Sequence, residues 1–143
     1  MNCLYPLIRK VLYFMKKYEN FCKALENLQD IKIYNEPFDN VTTTGLVALY
    51  GICFEQAWKA MKEILEEQGY LEESLGSPRK VLQVAYKARM INDEELWVSA
   101  LKARNNVAHA YNEAIALSII KEAKATYVNM FENLKETIEK NWL

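Results

Sequence analysis

The sequence predicts an all-α fold, an antiparallel up-down bundle of four long helices and one shorter one. Three observations lead there. Apolar residues recur at helical spacing along most of the chain. The 143 residues include only 4 Gly and 3 Pro, so little interrupts those stretches. No alternation of apolar and polar residues is long enough to read as a strand.

The first helix is expected from about Leu4 to Gln29, where Leu7, Val11, Met15, Tyr18, Cys22, Leu25 and Leu28 keep the period. A break follows at residues 35–40, because Pro37 disfavours helix at Glu36. The second helix is expected from about Thr44 to Gln68, with Leu46, Tyr50, Cys53, Phe54, Ala57, Trp58, Met61 and Leu65 on its apolar face and Gly69 as the residue that ends it. Ser77-Pro78 reads as an N-cap followed by proline in the first turn, opening a shorter third helix that runs to about Met90. Asn92 or Asp93 caps the fourth, and Glu94 and Glu95 suit the positive end of its dipole. That helix continues through Leu96, Trp97, Ala100, Leu101 and Ala108 toward His109. The fifth runs from about Asn112 to Lys140 along Ile115, Ile119, Tyr127, Phe131, Leu134 and Ile138. Short breaks between long helices make neighbours antiparallel. The length suits one domain, residues 1–143.

Net charge is −1, so no global field draws nucleic acid. The charge is uneven: residues 19–76 hold 11 acids against 4 lysines, whereas residues 77–89 hold Arg79, Lys80, Lys87 and Arg89 and no acid. Residues 1–18 are likewise basic, with Arg9, Lys10, Lys16 and Lys17. Such clusters suit a phosphate-bearing partner, and equally the solvated face of a helix. Three cysteines without C-x-x-C spacing argue against zinc and against a disulfide framework, and fit reduced thiols in a cytoplasmic protein. Cys22 and Cys53 read as small core residues, and Trp58 and Trp97 as core packing. Trp142 is placed either at the bundle end or in a dimer contact. No signal-peptide pattern and no membrane span is expected. No metal cluster and no cofactor site can be read from the residues.

The only histidine lies in Arg104-Asn105-Asn106-Val107-Ala108-His109-Ala110-Tyr111. Imidazole serves as acid and base near neutral pH, and a guanidinium suits phosphate oxygens. At 100° per residue Arg104 and Tyr111 share nearly one helix face, and Asn105, His109 and Asn112 share the adjacent one. Glu113, four residues after His109, reads as a first-turn acid of the last helix or as a partner for the ring. Each residue alone has an ordinary structural use: a lone His is commonly a surface group and an Asn a cap. The backbone N–H groups after Ser77, with Arg79 and Lys80, form a second candidate contact for phosphate or RNA.

This segment resembles the Arg-x4-His-x-Tyr signature of the HEPN superfamily. Phe54-Glu55-Gln56-Ala57-Trp58-Lys59-Ala60-Met61-Lys62 is similar to the second helix of its nucleotidyltransferase substrate-binding branch. Ser77-Pro78-Arg79-Lys80, Ala85-Tyr86, Ile91-Asn92-Asp93 and Trp97 resemble the rest of that branch, so the likeness spans roughly residues 20–140. It implies a HEPN bundle assembled as a homodimer and paired with a separately encoded minimal nucleotidyltransferase. In toxin–antitoxin members it implies a metal-independent ribonuclease silenced by that partner, in some by adenylylation of the tyrosine, here Tyr111. The nuclease pair would be Arg104 and His109, with Asn105 assisting. RNA cleavage through the 2′-hydroxyl needs a base and an acid together, so one His109 from each protomer is expected in a shared cleft. The competing expectation is a non-catalytic subunit that presents a substrate to the nucleotidyltransferase. The chain carries no Gly-Ser with spaced Asp pairs, so any nucleotidyl transfer belongs to another polypeptide. A plain helical interaction module is the third possibility.

Overall fold

The computed structural model describes residues 16–70 and 76–143. Among them the elements are α1 (Lys16–Gln29), α2 (Asn40–Glu67), α3 (Pro78–Lys87), α4 (Glu94–Asn106), α5 (Glu113–Glu122) and α6 (Val128–Asn141). Two 3-10 turns, Asp30–Ile33 and Val107–His109, follow α1 and α4. A π-helical segment, Ala123–Tyr127, joins α5 to α6 without a break. No strand occurs among the described residues. The expected helical bundle is what forms. The expected start of the first helix, before Lys16, and Cys3 lie outside the described residues.

Local chemistry sets most helix ends. The Ser77 hydroxyl accepts from the Lys80 N–H at 3.2 Å, and Pro78 sits in the first turn. Asp93, rather than Asn92, caps α4 by accepting from Leu96 N–H at 3.0 Å. Gly69 ends α2 at φ +89°, with the Tyr70 N–H returning to the Leu65 carbonyl. Helix α3 ends by the same device, yet with Arg89 in the left-handed position at φ 64°, so it stops at Lys87 and not at Met90. Helix α2 begins four residues before the expected Thr44. Asp39 accepts from Thr42 N–H at 2.7 Å, and the Thr43 and Thr44 hydroxyls donate back to the Asp39 and Asn40 carbonyls. Those bonds carry four consecutive β-branched residues, Val41 to Thr44, into the helix.

Helix α2 is the spine. It packs along α1 and against α3, α4 and α5. At the core centre the Phe131 ring of α6 meets Phe21, Tyr50, Phe54 and Trp97 at centroid distances of 6.2, 6.2, 6.5 and 5.6 Å. Cys53, Trp58 and Trp97 are buried as expected, whereas Cys22 is half-buried. Trp142 packs on Tyr70 at 5.9 Å, which places it at the bundle end. Tyr127 closes the π-helical segment. Its ring stacks on Tyr50 at 5.3 Å and its hydroxyl meets the Ser99 hydroxyl at 2.8 Å. None of the described helices is long and apolar enough to cross a membrane.

Candidate functional site

Helix α4 carries Trp97, Ala100 and Arg104 on one stripe, at i, i+3 and i+7, and that stripe faces α2. The first two are buried. The buried Tyr50 hydroxyl on α2 donates to the Ala100 carbonyl, the one that also takes the Arg104 N–H in a regular helix. Burial pushes the Tyr50 phenol far above its ordinary range, so it stays a donor. One turn further the stripe reaches the edge of the core. There the Arg104 guanidinium meets Glu55 of α2, with Nε and Nη2 donating to Oε2 at 3.1 and 2.6 Å. Its Nη1 donates to Asn105 Oδ1 at 3.1 Å. Lys59 Nζ stands 3.8 Å from the other oxygen of Glu55. The Arg104 and Glu55 side chains are 31% and 28% exposed, and a pair this wet adds at most about 1 kcal/mol to stability.

The helix does not continue to His109. It stops at Asn106, and Val107–His109 tighten into a 3-10 turn. The cause is downstream: the Asn112 side chain accepts from Ile115 N–H at 3.2 Å to start α5, so the chain must leave helix geometry before it. The expected common face for Arg104 and Tyr111, and the stripe of Asn105, His109 and Asn112, are corrected accordingly. What the turn achieves instead is a corner. His109 is exposed, no described residue hydrogen-bonds to its imidazole, and its ring meets that of Tyr111 edge-on at 6.5 Å and 73°. Tyr111 is 89% exposed, the most exposed large hydrophobic side chain among the described residues. Asn105 is exposed beside Arg104, and Glu113 sits in the first turn of α5.

Arg104, Asn105, His109 and Tyr111 are thus gathered at one end of α4. Arg79 and Lys80 are not gathered with them. Arg79 lines a groove of about 390 Å³ together with Glu94, Glu95, Val98, Ser99 and Lys102. From Glu95 to Arg104 is about 14 Å along the helix axis. The two acids there oppose a phosphate. A second groove of about 380 Å³ runs between α4 and α5 past Ser99, Lys102, Ser118, Glu122 and Tyr127. It reaches the corner only at Asn106, and Arg104, His109 and Tyr111 stand outside it. The described residues contain no group of three or more His, Cys, Asp or Glu side chains placed to hold a metal ion. Sequence reasoning missed Glu55. The available signal was its position as the first charged residue of α2 after an uncharged run from Asn40 to Phe54.

The fold and the corner together define a class: an all-helical, HEPN-like bundle with an exposed Arg-x4-His-x-Tyr end. Residues 16–140 match the family model described as nucleotidyltransferase substrate binding protein like, and the chain belongs to that family. A crystal structure of a Thermus thermophilus protein is similar at 26% identity, covering 80% of this chain and 94% of that one with a TM-score of 0.71. No curated protein matches the sequence.

Proposed function

We propose that the chain is the HEPN half of a two-component system: a metal-independent endoribonuclease that works as a homodimer and is restrained by a separate minimal nucleotidyltransferase. The observation that carries this reading is the corner itself. A guanidinium held on one side, an imidazole without a described hydrogen-bond partner and a bare phenol project together, where none of them serves the core. The family's description supplies the nucleotidyltransferase.

One protomer offers one imidazole, which can be base or acid but not both in a single step. A two-fold axis beside the corner doubles the set. In the dimer, His109 of one protomer takes the proton of the ribose 2′-hydroxyl as its oxygen attacks phosphorus. The partner subunit's His109 gives a proton to the departing 5′-oxygen. Arg104 stabilises the phosphorane charge, and Asn105 steadies Arg104. The products are a 2′,3′-cyclic phosphate and a 5′-hydroxyl. Restraint acts at Tyr111: its phenol oxygen attacks the α-phosphorus of ATP on the nucleotidyltransferase, pyrophosphate leaves, and the AMP left on Tyr111 crowds His109.

The test is expression of the chain alone and with the nucleotidyltransferase. Alone, it arrests growth, and the purified protein cleaves single-stranded RNA in EDTA. With the partner and ATP, cleavage stops and the chain gains the mass of one AMP, lost in Tyr111→Phe. No cleavage and no arrest would leave the second reading, a non-catalytic subunit that presents a phosphate-bearing substrate. That reading is favoured by one observation: within a protomer, half-buried Arg104 and exposed His109 stand outside both grooves along α4.

A further inference from the structure

We infer that Glu55 is a positioning residue that turns Arg104 into an end-on fork for a phosphodiester. This deepens the ribonuclease reading and rests on it for its activity readout. A guanidinium has five N–H donors. Glu55 Oε2 takes the Nε donor and one Nη2 donor, at 3.1 and 2.6 Å, and Asn105 Oδ1 takes one Nη1 donor at 3.1 Å. Among the described residues nothing takes the one remaining hydrogen on Nη1 and the one on Nη2. These two free donors suit two oxygens of one phosphate, the bidentate contact that lysine cannot make.

The carboxylate is well placed to aim the fork. Glu55 sits between Phe54, which is buried, and Ala57 and Trp58, also buried, on the rigid spine of the bundle. Its other oxygen faces Lys59 Nζ at 3.8 Å. Two cations and one carboxylate leave the network at +1, so the corner still attracts an anion although an acid stands behind the guanidinium. Without Glu55, Arg104 is a long side chain at an exposed helix end, free to sample rotamers that miss the phosphate. The carboxylate fixes its direction before substrate arrives, and misplacement by about 1 Å at a reacting centre costs up to about 100-fold in rate.

The experiment combines a double-mutant cycle, chemical rescue and one spectroscopic readout. Glu55→Ala is expected to lower kcat for a short single-stranded RNA by about 10- to 100-fold, and Glu55→Gln, which keeps the shape and one acceptor, by less. In an Arg104→Ala background the Glu55→Ala change should cost nothing further. Guanidinium ion added to Arg104→Ala should restore part of the rate, and should fail to do so in the double variant. By NMR, the Arg104 Nε–H should be slowly exchanging in the native chain, faster in Glu55→Gln, and lost to exchange in Glu55→Ala. Inorganic phosphate should shift the Nη signals and leave Nε–H in place. Equal losses in both backgrounds, or equal rescue of the double variant, would overturn the assignment. If the native chain cleaves no RNA, the ribonuclease reading fails alone, and the Nε–H signal decides: unchanged in Glu55→Ala, it removes Glu55 from the role.

Discussion

Two stretches of α4 face the same helix and behave oppositely. At Trp97 and Ala100 the stretch turns inward: the indole packs on Phe54 and Phe131, and the Ala100 carbonyl takes the Tyr50 hydroxyl. One turn later, Arg104 bonds Glu55 with only part of its donors, and beyond it His109 and Tyr111 turn to solvent. The first stretch is explained by the fold. The second is not, because a half-buried, solvent-screened ion pair and an exposed ring add little to folding. Side chains with unspent bonding capacity at a fixed place point outward, to a ligand or a second protein.

Removing the core on which the buried stretch rests has the largest effect. Phe131→Ala takes away the ring shared by four aromatic neighbours and should cost about 3–5 kcal/mol in urea unfolding. A loss under about 1 kcal/mol would mean the centre is not where stability resides. His109→Ala should do the reverse. Unfolding free energy stays within about 0.5 kcal/mol, while RNA cleavage falls by about 100- to 10,000-fold. A clear stability loss would make His109 structural. Tyr50→Phe sharpens the boundary, since it deletes one buried hydrogen bond next to Arg104 and should cost about 1 kcal/mol; no change would show that the Ala100 carbonyl needs only its helical partner.

The smallest effect concerns Glu63, on α2 but far from the corner. Its Oε2 is buried without a hydrogen-bond partner among the described residues, and burial raises the carboxyl above its ordinary value, with Lys17 acting the other way and Glu66 and Glu67 adding to the rise. A raised carboxyl binds its proton more tightly in the folded state. Stability is therefore fully present below the unfolded value of about 4.3 and falls as pH rises through the folded one. Glu63→Gln should melt slightly higher than the native chain at pH 7 and show no such gain at pH 4. A lower melting point at pH 7 would show that the Lys17 charge outweighs burial.

Much of this was legible in the sequence where the chemistry is local. Ser77-Pro78, Gly69 and the acids after Asp93 mark helix ends because a cap needs only residues three or four apart. The apolar period marks the core face of each helix for the same reason. What could not be read depends on distance or on competition between neighbours. The Arg104–Glu55 contact joins residues 49 apart. The 3-10 turn at Val107–His109 arises because α4 and the Asn112 cap compete for the same stretch, and helical spacing alone carries His109 onto a face it does not occupy. Glu55 falls inside a stretch that resembles the family and is the first charge of α2, but its task exists only once α4 lies across α2.

A mixed dimer decides whether the site is shared between two protomers. One native subunit and one His109→Ala subunit, carrying different tags, are purified as the heterodimer and assayed on RNA in EDTA. A shared site predicts well under a tenth of the native rate, since acid and base must both be present. Half or more of the native rate would show that each protomer acts alone.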